Sequence, residues 1–164
     1  DSVDLKVVDK AATLVLSSNH VFSYGAGRSG LIARCFAQRM MHLGLRSYFL
    51  GETITPSINP GDLLLVVSGS GETLSSKTFV DEAHANKVAV IALTSKKESS
   101  VGRRADLCVV IPGKTKTDKY ESAAPFTSLF DVSALVFLDC LASELMQRLK
   151  VTEEDILRRH ATIE

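Results

Sequence analysis

The stretch Val66-Val67-Ser68-Gly69-Ser70-Gly71-Glu72-Thr73 decides how this chain is read. It follows Asp62-Leu63-Leu64-Leu65-Val66-Val67, a short continuous apolar run of the kind found in buried strands. It precedes apolar spacing that predicts a helix over 72–86. The segment is therefore a strand-to-helix turn made of glycines and hydroxyls. Its two glycines allow positive φ and close approach of the backbone to a ligand. The following helix offers unpaired backbone N–H groups and the positive end of its dipole. Ser68, Ser70 and Thr73 add side-chain donors, and Gly69 and Gly71 leave room for an anion such as phosphate. Hydrogen bonds to a charged group contribute about 1.5–3 kcal/mol each, so a few of them suffice without a lysine. The competing reading, a flexible Ser/Gly loop, fits poorly between so regular a strand and helix.

Working outward, the same alternation recurs. Strands are predicted at 20–24, 46–50, 62–67, 87–93 and 107–111, each short and rich in Val, Ile or Leu. Helices are predicted at 4–17, 29–43, 72–86 and 99–105. A polar segment, 113–124, reads as a loop, followed by a long helix over 125–150 with a broad apolar face. Such a face covers either the domain's own core or a partner subunit. Thr152-Glu153-Glu154-Asp155 reads as a capping box opening a last helix, 153–160. Strands of this type alternating with helices imply an α/β fold, with a parallel sheet covered on both faces. Ligands of such sheets bind beyond the carboxyl ends of the strands, where the strand order switches. Here those ends are 25–30, 51–55, 68–73 and 94–95. No repeat, low-complexity tract or linker divides the chain, so a single domain over 1–164 is expected.

Composition narrows the partners. The 164 residues carry zero formal net charge, so no strong field would gather nucleic acid or an anionic membrane. Apolar runs stop well short of a bilayer span, and no charged-then-apolar leader opens the chain. Cys35, Cys108 and Cys140 form no paired motif, which suits a reducing, cytoplasmic setting. Neither they nor His20, His42, His84 and His160 show metal-ligand spacing, so no metal is expected.

A second glycine motif, Gly25-Ala26-Gly27-Arg28-Ser29-Gly30, also lies between a strand and a helix. It fits the dinucleotide fingerprint, and Glu52 falls near where a ribose-binding acid would sit. Against that reading, Arg28-Ser29 places a cation and a hydroxyl in the turn, which suits a small anion or a sugar. The stronger phosphate cradle stands on the third strand, where a dinucleotide fold does not need one.

Together, Gly25–Gly30 and Ser68–Thr73 resemble the SIS (sugar isomerase) domain family. Three further stretches are similar to its 6-phospho-3-hexuloisomerase branch: Met40-Met41-His42-Leu43-Gly44, Gly51-Glu52-Thr53-Ile54-Thr55-Pro56 and Arg158-Arg159-His160-Ala161. The resemblance runs from about Val21 to the end. It implies a flavodoxin-like, Rossmann-like α/β/α sandwich with a five-stranded parallel sheet. It also implies a homotetramer with sites between subunits, a sugar phosphate ligand and no cofactor. The implied reaction, part of the ribulose monophosphate pathway, converts 3-hexulose 6-phosphate to fructose 6-phosphate through a cis-enediol(ate). Where the family tends to read Pro-Met-Gly-Ser-Leu-Phe-Glu, this chain has Pro125-Phe126-Thr127-Ser128-Leu129-Phe130-Asp131. The implied catalytic carboxylate thus falls on Asp131, one methylene shorter.

The site residues follow. Asp131 is expected as the base, its alternative being an acid that complements a helix dipole. His160 is expected to shuttle protons between oxygens, reaching a neighbouring subunit's cleft; otherwise it is a cation near a helix C-terminus. Glu52 is expected to hydrogen-bond sugar hydroxyls, or else to be a solvated loop acid. Gly27, Arg28 and Ser29 join the cradle, with Arg28 facing phosphate or enediolate, or pairing with an acid such as Glu52. Glu72 is expected to be structural and His42 to be packed. Two other functions share the cradle: a non-catalytic sugar-phosphate sensor and an arabinose 5-phosphate isomerase.

Overall fold

The computed structural model describes residues 5–116, 118–119 and 124–163. The strands are β1 (Val21–Gly25), β2 (Ser47–Phe49), β3 (Leu63–Val67), β4 (Ala89–Thr94) and β5 (Leu107–Val110). The helices are α1 (Leu5–Ser17), α2 (Arg28–His42), α3 (Leu74–Ala85), α4 (Ser100–Arg104), α5 (Ser128–Leu149) and α6 (Glu153–Arg159). Each expected element is present, with ends shifted by a few residues at most. The loop expected over 113–124 lies partly outside the described residues.

All strand pairs are parallel, in the order β2-β1-β3-β4-β5. Alternate side chains on the strands feed two cores, which is why these strands are apolar throughout. Leu63, Leu65, Val67, Ile91 and Leu93 face one core, with α1, α2 and α5. Phe22, Leu64, Val66, Val90 and Ala92 face the other, with α3 and α4. The result is three layers, α/β/α.

Order and register place the site. The chain leaves β1 toward β2 and leaves β3 in the opposite direction, so the switch point falls between β1 and β3. Gly25 pairs with Val67, and Val67 with Leu93. The turns after β1, β3 and β4 therefore emerge side by side at one level. No described helix is long and apolar enough to cross a membrane.

Candidate functional site

The turn after β3 carries the hydroxyl-rich stretch. A bond from the Gly71 N–H to the Ser68 carbonyl (3.0 Å) closes it, and Gly71 takes a positive φ of 64°. Ser68 and Ser70 are buried. The Glu72 N–H donates to Ser70 Oγ at 3.3 Å. Ser68 Oγ is fully buried and meets no hydrogen-bond partner among the described residues. An unsatisfied buried hydroxyl costs about 1–3 kcal/mol; Ser47 and Ser76 carry others, but that of Ser68 lies at the carboxyl end of the sheet. Thr73 stands at the N-cap of α3, yet its side chain makes no capping bond. The turn thus holds two hydroxyls uncommitted to the fold, beside the start of a 12-residue helix.

Glu72 has a different task. Its carboxylate accepts from the Ser100 N–H and the Ser100 hydroxyl, both at 2.7 Å. Those two bonds hold its carboxyl below the usual carboxylate range, with Lys77 and Arg103 adding to the effect. It therefore caps α4, as a structural acid would.

The turn after β1 is built around close packing. A Cβ on Gly25 would lie 2.5 Å from the Ser29 carbonyl oxygen, and one on Gly30 would lie 2.6 Å from that of Gly25. These two glycines let α2 start hard against β1. Gly27 has φ 57° and open space beside it. Arg28 and Ser29 then begin α2 and both turn toward Asp131. Arg28 Nε donates to Asp131 Oδ2 at 2.8 Å, and Ser29 Oγ donates to Oδ1 at 3.4 Å. Thr127 Oγ donates to Oδ2 at 3.2 Å. The Asp131 side chain is 2% exposed, that of Arg28 63%. The carboxylate thus ties the start of α2 to the start of α5, while most of the guanidinium faces solvent.

Phe130, next to Asp131 in the chain, packs on the β3 turn: a Cβ on Gly69 would sit 3.1 Å from its ring. Asp131 and the β3 cradle accordingly share one wall at the switch point.

Glu52 lies after β2 at the same end of the sheet, but it does not pair with Arg28. Arg34 Nε reaches Glu52 Oε1 at 3.4 Å while its guanidinium covers the Phe49 ring at 3.7 Å. The expected alternative of an Arg28–Glu52 pair is thus corrected: α2 turns Arg28 inward to Asp131 and presents Arg34 to the β2 loop. His160 lies beyond the far end of α2. Its ring stacks on the buried His42 ring with centroids 5.2 Å apart, and Arg159 donates to the His42 carbonyl at 3.1 Å. Arg28 and His42 are the first and last of the 15 residues of α2, so roughly 20 Å separates the ends. Within one protomer His160 does not join the cluster.

Some contributors escape a sequence reading. Thr127 stands where the family pattern has glycine, and its hydroxyl goes to Asp131 rather than to a cap. Thr94 and Ser95 look like an ordinary strand end, yet both bind the cradle's backbone. Their only sequence signal is a hydroxyl pair at the carboxyl end of a central parallel strand.

The switch point of this α/β fold thus carries uncommitted hydroxyls beside a buried carboxylate and an exposed guanidinium. The SIS domain model matches residues 14–155, and the chain belongs to that family. It is 40% identical to a Bacillus subtilis protein named 3-hexulose-6-phosphate isomerase, over 95% of this chain and 86% of that one. It is likewise 40% identical to a Methanocaldococcus jannaschii protein of the same name, over 95% and 83%. A crystal structure from Methanococcus jannaschii, described as inferring a molecular function of 3-hexulose-6-phosphate isomerase, superposes with a TM-score of 0.85 at 37% identity, covering 98% of this chain and 87% of that one.

Proposed function

We propose that this protein interconverts 3-hexulose 6-phosphate and fructose 6-phosphate. The observation that carries the reading is the buried Asp131 carboxylate beside the uncommitted hydroxyls of the β3 turn. The 6-phosphate enters the cradle of Ser68, Gly69, Ser70, Gly71 and Thr73, at the amino end of α3. The remainder of the sugar extends toward Gly27, Arg28, Ser29 and Asp131. Substrate draws the Arg28 guanidinium off Asp131 and toward the oxygen that becomes anionic. Asp131 then takes the proton from C2, the electron pair forms the C2–C3 enediolate, and the proton returns at C3 as the carbonyl forms at C2. Arg28 stabilises the charge that develops on oxygen. Glu52 holds sugar hydroxyls at the rim.

His160 moves protons between the two oxygens from a neighbouring subunit, since α2 keeps it roughly 20 Å from the cleft of its own chain. The proposed assembly is a homotetramer in the cytoplasm. Its support is an exposed apolar strip beside the site: Leu129, Val132 and Val136 on α5 and Leu31 on α2. The three free cysteines suit a reducing compartment.

The test is turnover of 3-hexulose 6-phosphate, with deuterium incorporation at C3 of fructose 6-phosphate in D2O. Asp131→Asn is expected to lower kcat by about 10²–10⁴, the usual contribution of a positioned base. Binding of fructose 6-phosphate without turnover in wild type and variant would instead indicate a sensor. Preference for arabinose 5-phosphate would indicate a five-carbon isomerase. Mixing Asp131→Asn with His160→Ala subunits is expected to restore activity in the mixed oligomer, and no recovery would rule out a shared site.

A further inference from the structure

The carbonyl of Gly69 accepts three hydrogen bonds, all from the end of β4. The Ser95 N–H donates at 2.9 Å, the Ser95 hydroxyl at 3.0 Å and the Thr94 hydroxyl at 3.1 Å. Thr94 is fully buried, and its oxygen also accepts from the Lys96 N–H at 3.3 Å. The next carbonyl but one, that of Gly71, is held in the same manner by the Val101 N–H of α4 at 3.0 Å. A Cβ on Gly71 would overlap Ser99 Oγ, so the turn lies flush on α4. In a planar trans peptide the N–H points opposite to the carbonyl. Drawing the Gly69 carbonyl toward β4 therefore turns the Ser70 N–H away from β4. None of the hydrogen bonds among the described residues uses that N–H. The same plane carries the chain to Ser70, whose hydroxyl accepts from the Glu72 N–H.

We propose that Thr94 and Ser95 are positioning residues for phosphate binding. They clamp the Gly69–Ser70 peptide so that its N–H is presented to the ester before the ligand arrives. The inference rests on the sugar-phosphate reading above. Three donors are more than the two lone pairs of a carbonyl need, and two of them are side-chain hydroxyls that strand pairing does not require. A turn with two glycines has other accessible backbone states, and the clamp selects one of them. Pre-set donors of this kind bind an anion without the cost of ordering the loop.

The experiment measures Kd for fructose 6-phosphate and for inorganic phosphate by calorimetry, together with kcat and KM, in the wild type, Thr94→Val, Ser95→Ala and the double variant. The double variant leaves the Gly69 carbonyl only the Ser95 N–H. Its Kd for both ligands and its KM are expected to rise about tenfold or more, the scale of one charge-assisted hydrogen bond, while kcat changes less than threefold. Thr94→Ser, which keeps the hydroxyl, is expected to recover most of the affinity lost in Thr94→Val. Unchanged phosphate affinity in the double variant would overturn the proposal. So would a fall in kcat and thermal stability with no change in Kd, the pattern of ordinary core damage. Should Thr94→Val not fold, Ser95→Ala decides, because its backbone bond stays and its side chain is only half-buried. Absence of phosphate binding in the wild type would overturn the sugar-phosphate reading itself, an outcome distinct from failure of the clamp.

Discussion

The turns after β1 and after β3 look alike in sequence: both are glycine-rich, and both join a buried strand to a helix. They do different work. The first is filled. Gly25 and Gly30 bring two backbones into contact, and Arg28 and Ser29 are committed to Asp131. The second is open. Ser68 Oγ has no partner among the described residues, Thr73 caps nothing with its side chain, and the carbonyls of Gly69 and Gly71 are drawn toward β4 and α4. In the first turn Gly25 and Gly30 serve packing between elements of this chain. In the second it serves a shape that a ligand completes. The dinucleotide reading of the first motif is opposed by its side chains and not by its glycines: Gly25 and Gly30 pack α2 on β1 while Gly27 meets open space, but Arg28 and Ser29 are bound to Asp131.

The contrast is most easily broken by Gly25→Ala. The added methyl would lie 2.5 Å from backbone that cannot swing aside. Overpacking of that kind costs about 3 kcal/mol or more, read as a fall in the urea midpoint. Gly27→Ala, two residues along the same turn, meets no atom within 4 Å and pays only for its backbone, φ 57° with ψ −130°, a pairing that L residues rarely adopt. A loss of up to about 3 kcal/mol, smaller than that at Gly25, is expected there. Equal losses at the two positions would mean that the first turn is not the packed joint described.

Ser68→Ala sharpens the other side. Removing a buried hydroxyl with no partner should leave stability unchanged or raise it by up to about 1 kcal/mol. The same change should weaken fructose 6-phosphate about tenfold and leave unphosphorylated fructose unaffected. A destabilised variant with normal phosphate affinity would show that Ser68 belongs to the fold instead of to the ligand.

These opposite expectations explain how far the sequence could be read. The strands were legible because two-sided burial demands unbroken runs such as Leu63–Val67, and the helices because their ends carry glycine, hydroxyl or capping-box signals. The hydroxyls of the β3 turn were legible as donors. What Asp131 touches was not, because its partner Arg28 lies 103 residues away and an acid in a first turn ordinarily reads as a dipole partner. The Arg34–Glu52 pair was hidden similarly, since a helix's rotation decides which arginine meets the loop. Thr94 and Ser95 were legible only as a strand end on the ligand-binding edge; their hold on Gly69 was not, because a backbone carbonyl leaves no mark in a sequence.

The smallest expected effect concerns the segment that follows the clamp. Lys96 Nζ lies 2.7 Å from Asp118 Oδ1, joining the end of β4 to the β5–α5 loop. Lys96, then the Thr115 N–H and hydroxyl, hold the Asp118 carboxyl at about 2, below its ordinary 3.8. The folded state therefore binds this proton less readily than the unfolded chain. The tie contributes fully above pH 3.8 and is lost as pH falls through about 2. Asp118→Asn should thus lie below the wild type in urea midpoint at pH 5, and the gap should close between pH 4 and pH 2. The pair is only partly screened from solvent, so the gap will be slight. Because Lys96 directly follows the two hydroxyl residues that hold Gly69, any loss of phosphate affinity in Asp118→Asn should accompany this tie. The Arg28–Asp131 contact of the first turn should be untouched, and kcat with it. A variant that kept its phosphate affinity but lost turnover would show that the β5–α5 loop acts on the packed turn rather than the open one.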